Sequence, residues 1–392
     1  MSDSIYHRLQ KRLESYPQGF PDSGNGIEVK IIKKLFTEEQ AEIFCEIAST
    51  FPLRPTPGKP TSKKLQKKLN MTQEELAEKL ESMAQQGLLF RQRNKGNPND
   101  PLYYPPPFVV GLYEFSLKTM DRELATYVNE AFEGVAQWWN KIPTKQLRVV
   151  PIENSIKQDK GIWPYDKIEE VIKGHDLISV ADCICMKEKQ MLGQDCKASL
   201  ERCISFDWFA EHYIDTGMGR QITEKELREI LVMAEKNGLV ISPSNITKSI
   251  GFCLCCDCCC SWLRVLSLDP KPAMQVTASY RAEIDQEICT QCGVCLKRCN
   301  MKAIKQDCFT VDVDRCIGCG LCVTTCPTNA IQMKKNGRTF HMEKSATLLF
   351  YKMHEEHVKA KSFGDDKIKN TITLSRIKMA KTFYRTKKLF IK

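Results

Sequence analysis

The sequence predicts an α+β protein built in four parts. An α-rich N-terminal domain is expected over 1–140 and a cysteine-rich, mainly helical domain over 141–275. A small duplicated domain follows over 276–338, and a basic helical tail over 339–392. Three observations carry this reading. Capped amphipathic helices fill the first part. Only Cys45 of the twenty cysteines lies in the first 180 residues, and the other nineteen fall between Cys183 and Cys326. One cysteine pattern near the C-terminus then occurs twice.

Composition bounds the class. A chain of 392 residues, 42% hydrophobic and 27% charged, is long enough for several domains with ordinary cores. No stretch approaches the roughly 18 uninterrupted apolar residues of a membrane span. The start, MSDSIYHRLQKRLESY, is amphipathic and no apolar signal core follows it, so a cytoplasmic location is expected. In that reducing compartment dense cysteines are expected to bind metal and not to form disulfides. The formal charge is +10, with much of the excess between Lys359 and the terminal KTFYRTKKLFIK. That tail reads as a solvated, partly helical segment, with contact to an acidic partner or an anionic membrane surface as the alternative.

In the first part, FTEEQAEIFCEIASTF, TSKKLQKKLN and TQEELAEKLESMAQQGLLF read as three helices. Thr37 and Thr72 are sensible N-caps, Thr72 with Glu75 at the capping-box position. Gly87 closes the third helix, whose core face is Leu76, Leu80, Met83 and Leu88. RQRNKGNPNDPLYYPPP then looks like a hairpin wing, so the order is that of a winged helix-turn-helix. The third helix presents Glu74, Glu75, Glu78 and Glu81, which phosphates would repel. Lys63, Lys64, Lys67 and Lys68 on the second helix read as a solvated face. DNA binding is therefore not expected, and a docking or scaffold module is.

The middle part carries ten cysteines. ADCICMKEKQMLGQDCKASLERC supplies Cys183, Cys185, Cys196 and Cys203, and GFCLCCDCCCSW supplies Cys253, Cys255, Cys256, Cys258, Cys259 and Cys260. Between them lies a helix, TEKELREILVMAEKNGLV, capped by Thr223 with Glu226, stopped by Gly238, with Leu227, Ile230, Leu231 and Ala234 as its buried stripe. Three readings stand for the ten: one or two additional iron–sulfur clusters, a zinc or other structural site, and a redox-active catalytic site. The first is preferred. Neighbouring side chains on an extended segment point to opposite faces. The six in the run cannot all face one site unless the chain turns sharply, and Asp257 could start that turn. Only some of them are expected to ligate. His175 and His212 lie close by and read as structural.

CTQCGVCLKRCN and CIGCGLCVTTCP repeat one C-x2-C-x2-C-x3-C pattern, and Ala303-Ile304 after the first matches Ala330-Ile331 after the second. Cysteines at every third position can wrap three corners of a cubic iron–sulfur cluster, with thiolates as the soft ligands. YRAEID and FTVDVD alternate like short strands before each copy. The unit is a pair of strand, loop, helix and strand. Zinc is disfavoured, because it takes pairs of cysteine knuckles or cysteine–histidine sets. Cys308 reads as a buried small residue.

The segment from about Ser279 to Lys335 resembles bacterial-type dicluster ferredoxins. The resemblance implies that each fourth cysteine ligates across, giving Cys289, Cys292, Cys295 and Cys326 for one [4Fe–4S] cluster and Cys316, Cys319, Cys322 and Cys299 for the other. Asn300 departs from the pattern where the second copy has Pro327. VVPIENS, ADCICMKEKQMLGQDC, GMGRQIT, CLCCDCCC and the duplicated tail together resemble a family of ferredoxin-type 4Fe–4S dicluster proteins of anaerobic bacteria and archaea. Related members often carry arginine after the C-x-C, where this chain has Met186-Lys187. The resemblance implies two [4Fe–4S] clusters and single-electron transfer to or from a redox partner, a flavoprotein or other oxidoreductase. The alternatives are an oxidoreductase subunit with a catalytic site built from the upstream cysteines and, further off, a redox-sensing DNA-binding regulator.

Overall fold

In the computed structural model the described residues are 4–48, 57–156, 162, 166–194, 196, 198–361 and 373–382. Helices and small sheets are mixed, an α+β fold. Helices Ile27–Leu35, Glu38–Ile47, Lys63–Leu69 and Gln73–Gln85 come in sequence, and β1 (Phe90–Gln92) pairs antiparallel with β2 (Leu102–Tyr104) after them. Thr37 and Thr72 both close capping boxes, with Gln40 and Glu75. Each box satisfies two amide donors that would otherwise be orphaned at the helix start. Gly87 has φ +83°, and a Cβ there would stand 2.1 Å from the Phe115 carbonyl oxygen, so only glycine fits. The long helix Arg122–Lys141, capped by Asp121, crosses from this region to the next.

The middle part is organised by a five-stranded antiparallel sheet of β3 (Ile178–Asp182), β4 (Glu201–Phe206), β5 (Gly219–Gln221), β6 (Val240–Pro243) and β7 (Gly251–Cys255), in the order β5-β3-β4-β7-β6. The expectation of a mainly helical middle missed this sheet. The strands ISVAD, ERCISF and GFCLC are buried along most of their length. A strand covered on both faces does not show the polar–apolar alternation by which a strand is read from sequence. The helix Glu224–Lys236 is present with its Thr223 cap, but Glu226 turns to an ion pair with Arg220.

Two large apolar cores result. The first gathers the N-terminal helices and reaches Ala181, Tyr213 and Met218 of the middle part. The second runs from Ala136 through the sheet to Ile317 and Leu321. In the duplicated segment, β8 (Tyr280–Ile284) pairs antiparallel with β9 (Ile331–Lys335) around the helix Val294–Arg298. FTVDVD does not form the expected strand; it makes one bridge, Val311 to Ile304. The chain turns too soon, because Asp312 accepts from the Asp314 amide through its side chain and from the Arg315 and Cys316 amides through its carbonyl. Helix Ala346–Lys361 follows, and 373–382 are helical. Residues 362–372 and 383–392 of the basic tail lie outside the described residues.

Candidate iron–sulfur and metal centres

The duplicated motifs come together in space. One cavity is lined by Cys289, Cys292 and Cys295 of the first copy and by Cys326 of the second, with Ile284, Phe309 and Ile331 as apolar walls. Cys316, Cys319 and Cys322 crowd around Cys299. Burial first, and then the neighbouring Cys299 and Cys316, push Cys319 up to about 12. Backbone amides already aim at sulfur: Ala303 N–H lies 3.2 Å from Cys299 Sγ and Ala282 N–H 3.4 Å from Cys316 Sγ. The two loops differ in packing. Gly318 has φ +71°, and a Cβ on it would stand 2.2 Å from the Tyr280 carbonyl oxygen. Its counterpart in the first copy is Gln291, also left-handed at φ +55°, which the more open first loop accommodates.

The ten upstream cysteines divide into two groups. Six form a continuous row: Cys183 against Cys185, Cys185 against Cys260, Cys260 against Cys255, Cys255 against Cys253, and Cys253 against Cys203. The sheet explains the row. Cys203 on β4 is the cross-strand partner of Cys253 on β7, and Cys255 is two residues further along the same face. Cys183 and Cys260 cap the helices Ile184–Met191 and Ser261–Leu268. Their thiols donate toward Cys185, which together with burial pushes both of them up and so favours thiolate at Cys185 and not at the two caps. Cys185 is held below the usual thiol range by the thiols of Cys183 and Cys260, and Cys255 falls to about 5 through Cys253 and Cys260.

The other group is Cys196, Cys256, Cys258 and Cys259, whose sulfurs all lie within 4.8 Å of one another. Asp257 does stand in a turn, spanning 257–259, which carries Cys258 and Cys259 of this group. Arg202, 2% exposed, donates from Nη1 to Cys256 Sγ at 3.4 Å. Cys256 is pulled down to about 4, chiefly by the Cys259 thiol and then by the Arg202 guanidinium.

Above the six-thiol row lies a cavity of about 710 Å³. Cys185, Cys203, Cys253, Cys255 and Cys260 line it, together with aromatic walls that include Phe108, Phe132, Trp139 and Trp262. Its lining is mainly apolar, and two polar groups stand close to the thiols or deep in the wall. Tyr213 Oη stands 3.8 Å from Cys203 Sγ, and Glu114 accepts from the Gly111 amide at 2.8 Å. Burial pushes the Glu114 carboxyl up to about 8, so it is protonated at neutral pH. Val110 on the rim has φ +51°, a costly conformation for a β-branched residue.

Two side chains tie the duplicated segment to the middle part, one of them directly to the cysteine run. Asn300, where the second copy has proline, accepts from the Asp257 amide at 3.0 Å and donates to the Gly238 carbonyl at 2.9 Å. Arg298 donates to the Lys236 carbonyl at 2.8 Å. A proline at 300 could make neither of the Asn300 bonds.

Several other residues find their places. His175 bonds Asp207 at 2.8 Å and stacks on Phe206, and His212 accepts from the Arg91 amide at 3.1 Å among Phe90 and Phe115. Cys308 is exposed, not buried, because it sits in the turn 306–308 with its sulfur 2.9 Å from Thr310 Oγ1. Lys187 bonds the Leu117 carbonyl, so the cation beside the cysteines is Arg202 instead. Sequence reasoning passed over Arg202, Glu114 and Tyr213. Only Arg202 left a signal, its position directly before Cys203.

Residues 309–332 match the model of the 4Fe-4S binding domain. This defines the chain as one that carries a 4Fe–4S binding domain, and the cysteine-rich groups around it mark an iron–sulfur protein. No curated protein and no solved structure matches the chain. Among the described residues no helix is long and apolar enough to cross a membrane.

Proposed function

We propose that the chain is a multicentre iron–sulfur electron-transfer protein. Cys289, Cys292, Cys295 and Cys326 hold one [4Fe–4S] cluster, and Cys316, Cys319, Cys322 and Cys299 hold the other. Electrons pass singly between these clusters and a redox partner, a flavoprotein or other oxidoreductase. The observation that carries the reading is the cavity whose cysteines come from both repeats. Three thiols from one loop and one from the other are what a cross-ligated pair of cubanes requires. When bound, the clusters supply one-electron redox chemistry. The chain fixes their thiolates and aims the Ala282 and Ala303 amides at sulfur, which tunes the potential.

The N-terminal helices and hairpin act as a winged-helix-like docking module and not as a DNA reader. The glutamates of the helix Gln73–Gln85 support that choice. Anaerobic purification, iron and sulfide analysis and EPR of the reduced protein test the whole reading. About eight irons are expected for the two cubanes, and Cys292→Ser should remove one cubane signal and leave the other. A chain that binds no iron, or a variant with both signals intact, would refute it.

A second reading is favoured by the cavity over the six-thiol row. There Cys183, Cys185, Cys203, Cys253, Cys255 and Cys260 hold an additional iron–sulfur centre facing an apolar pocket, with the neutral Glu114 carboxyl as a proton source. The duplicated segment feeds that centre, and the chain acts as the oxidoreductase subunit that reduces an apolar or aromatic compound. Cyanide added to the reduced protein should perturb an EPR signal distinct from the two cubanes. If all the iron is accounted for by unperturbed cubanes, this second reading fails while the first stands.

A further inference from the structure

We propose that Cys196, Cys256, Cys258 and Cys259 hold a single metal ion, zinc or iron, in a closed tetrahedron of thiolates separate from every iron–sulfur cluster. The spacing of the sulfurs is the main argument. A metal–sulfur bond of about 2.3 Å in a regular tetrahedron sets the sulfurs about 3.8 Å apart. The Sγ–Sγ distances are 3.9 Å from Cys196 to Cys256, 3.6 Å from Cys196 to Cys258 and 3.6 Å from Cys258 to Cys259. A cubane places each thiolate outward on a different iron, so its four sulfurs stand much further apart. Among the described residues no other group of three or more such ligands is drawn this close. A disulfide needs about 2.05 Å, and all of these cysteines are free.

The local chain is built for such an ion. Cys256 and Cys259 form a C-x2-C knuckle, closed by the Cys260 amide on the Cys256 carbonyl at 3.0 Å. The turn 257–259 leaves Cys255 and Cys260 on the cavity side and gathers Cys256, Cys258 and Cys259 around Cys196. The donor set is all sulfur, with no carboxylate or imidazole in it, which selects zinc or iron over magnesium or calcium. Arg202 offsets part of the negative charge that four thiolates and a divalent ion would carry. Cys256 and Cys259 are buried and Cys258 is exposed, so the ion would sit at the edge of the fold, pinning the run to Cys196. As zinc it is a structural staple. As iron it is also a one-electron centre.

X-ray absorption and metal analysis of the full chain, purified without oxygen, test the proposal. One zinc per chain with four sulfurs at about 2.3 Å supports the zinc form. One iron beyond those in clusters, with the visible charge-transfer bands of a ferric four-thiolate site after oxidation, supports the iron form. In either case Cys258→Ser, at an exposed ligand, should remove most of that one ion and leave the cubane EPR signals at wild-type intensity. Loss of about four irons with a cubane signal would overturn the proposal. So would wild-type protein with no zinc and every iron in clusters, or thiol titration that finds these four cysteines free of metal. The two wild-type measurements decide the matter even if the variant does not fold.

Discussion

Gly318→Ala is the most informative single change in the duplicated segment. Two costs add. A left-handed φ of +71° is disfavoured for alanine by roughly 1–2 kcal/mol. The new Cβ would also meet the Tyr280 carbonyl oxygen at 2.2 Å. That oxygen is backbone of β8 and cannot swing aside, so strand or loop must shift, at about 1–3 kcal/mol more. The sum is about 2–5 kcal/mol. Gly293→Ala isolates the first cost. Its φ is +74°, but the nearest atom to its Cβ is Leu296 Cδ1 at an ordinary 3.8 Å. Urea midpoints and iron per chain, measured on both variants after identical anaerobic preparation, compare the two. Gly318→Ala should show the larger drop in midpoint and reduced iron, while Gly293→Ala keeps its iron. Equal midpoints for the two variants would refute the steric argument, since their backbone angles are alike.

Other expectations follow from the same contacts. Asn300→Pro should retain both cubane EPR signals and cost about 1–3 kcal/mol from the two lost hydrogen bonds, read as faster amide exchange at Asp257. Arg202→Gln should weaken the ion at Cys196, Cys256, Cys258 and Cys259 by about 10–100-fold in a chelator competition, with cluster iron unchanged. His212 is buried and neutral, its pKa lowered to about 3 by desolvation. Its folded value lies below its unfolded one, so its contribution is present above about pH 6.5 and is lost as pH falls toward 3, at about 1.4 kcal/mol per pH unit. His212→Gln should shrink the difference between urea midpoints at pH 7 and pH 5, and an unchanged difference would count against the assignment.

How much of this was legible beforehand depended on whether the cause was local. The helix caps at Thr37 and Thr72 were legible because a cap depends on residues three apart. The C-x2-C-x2-C-x3-C repeats were legible for the same reason, since the first three cysteines of each copy stand at every third position of one short loop. The partition of GFCLCCDCCCSW was half legible. Alternation and the Asp257 turn foretold that the cysteines must divide. Which sulfurs go together was decided by the pairing of Cys253 with Cys203 on a neighbouring strand, which no local pattern encodes. The cavity was invisible for a related reason, as its walls come from Phe108, Phe132, Trp139 and Trp262 on separate segments. Strand character was misread in both directions. β4 and β7 hid behind burial along most of their length, while FTVDVD alternated well and was bent away by Asp312.

The two faces of the cysteine run have a consequence for assembly. Cys255 is joined to Cys256, and Cys259 to Cys260, by one peptide bond each, yet each pair serves opposite sides of the chain. Any group that seats on one side therefore sets the position of the sulfurs on the other. Loading on one side is then coupled to loading on the other. An ion bound early at the edge would fix the strand end and the helix start before the inner row receives anything. Stripping that ion should be felt inside the cavity as misaligned sulfurs, although the ion never touches what the cavity holds.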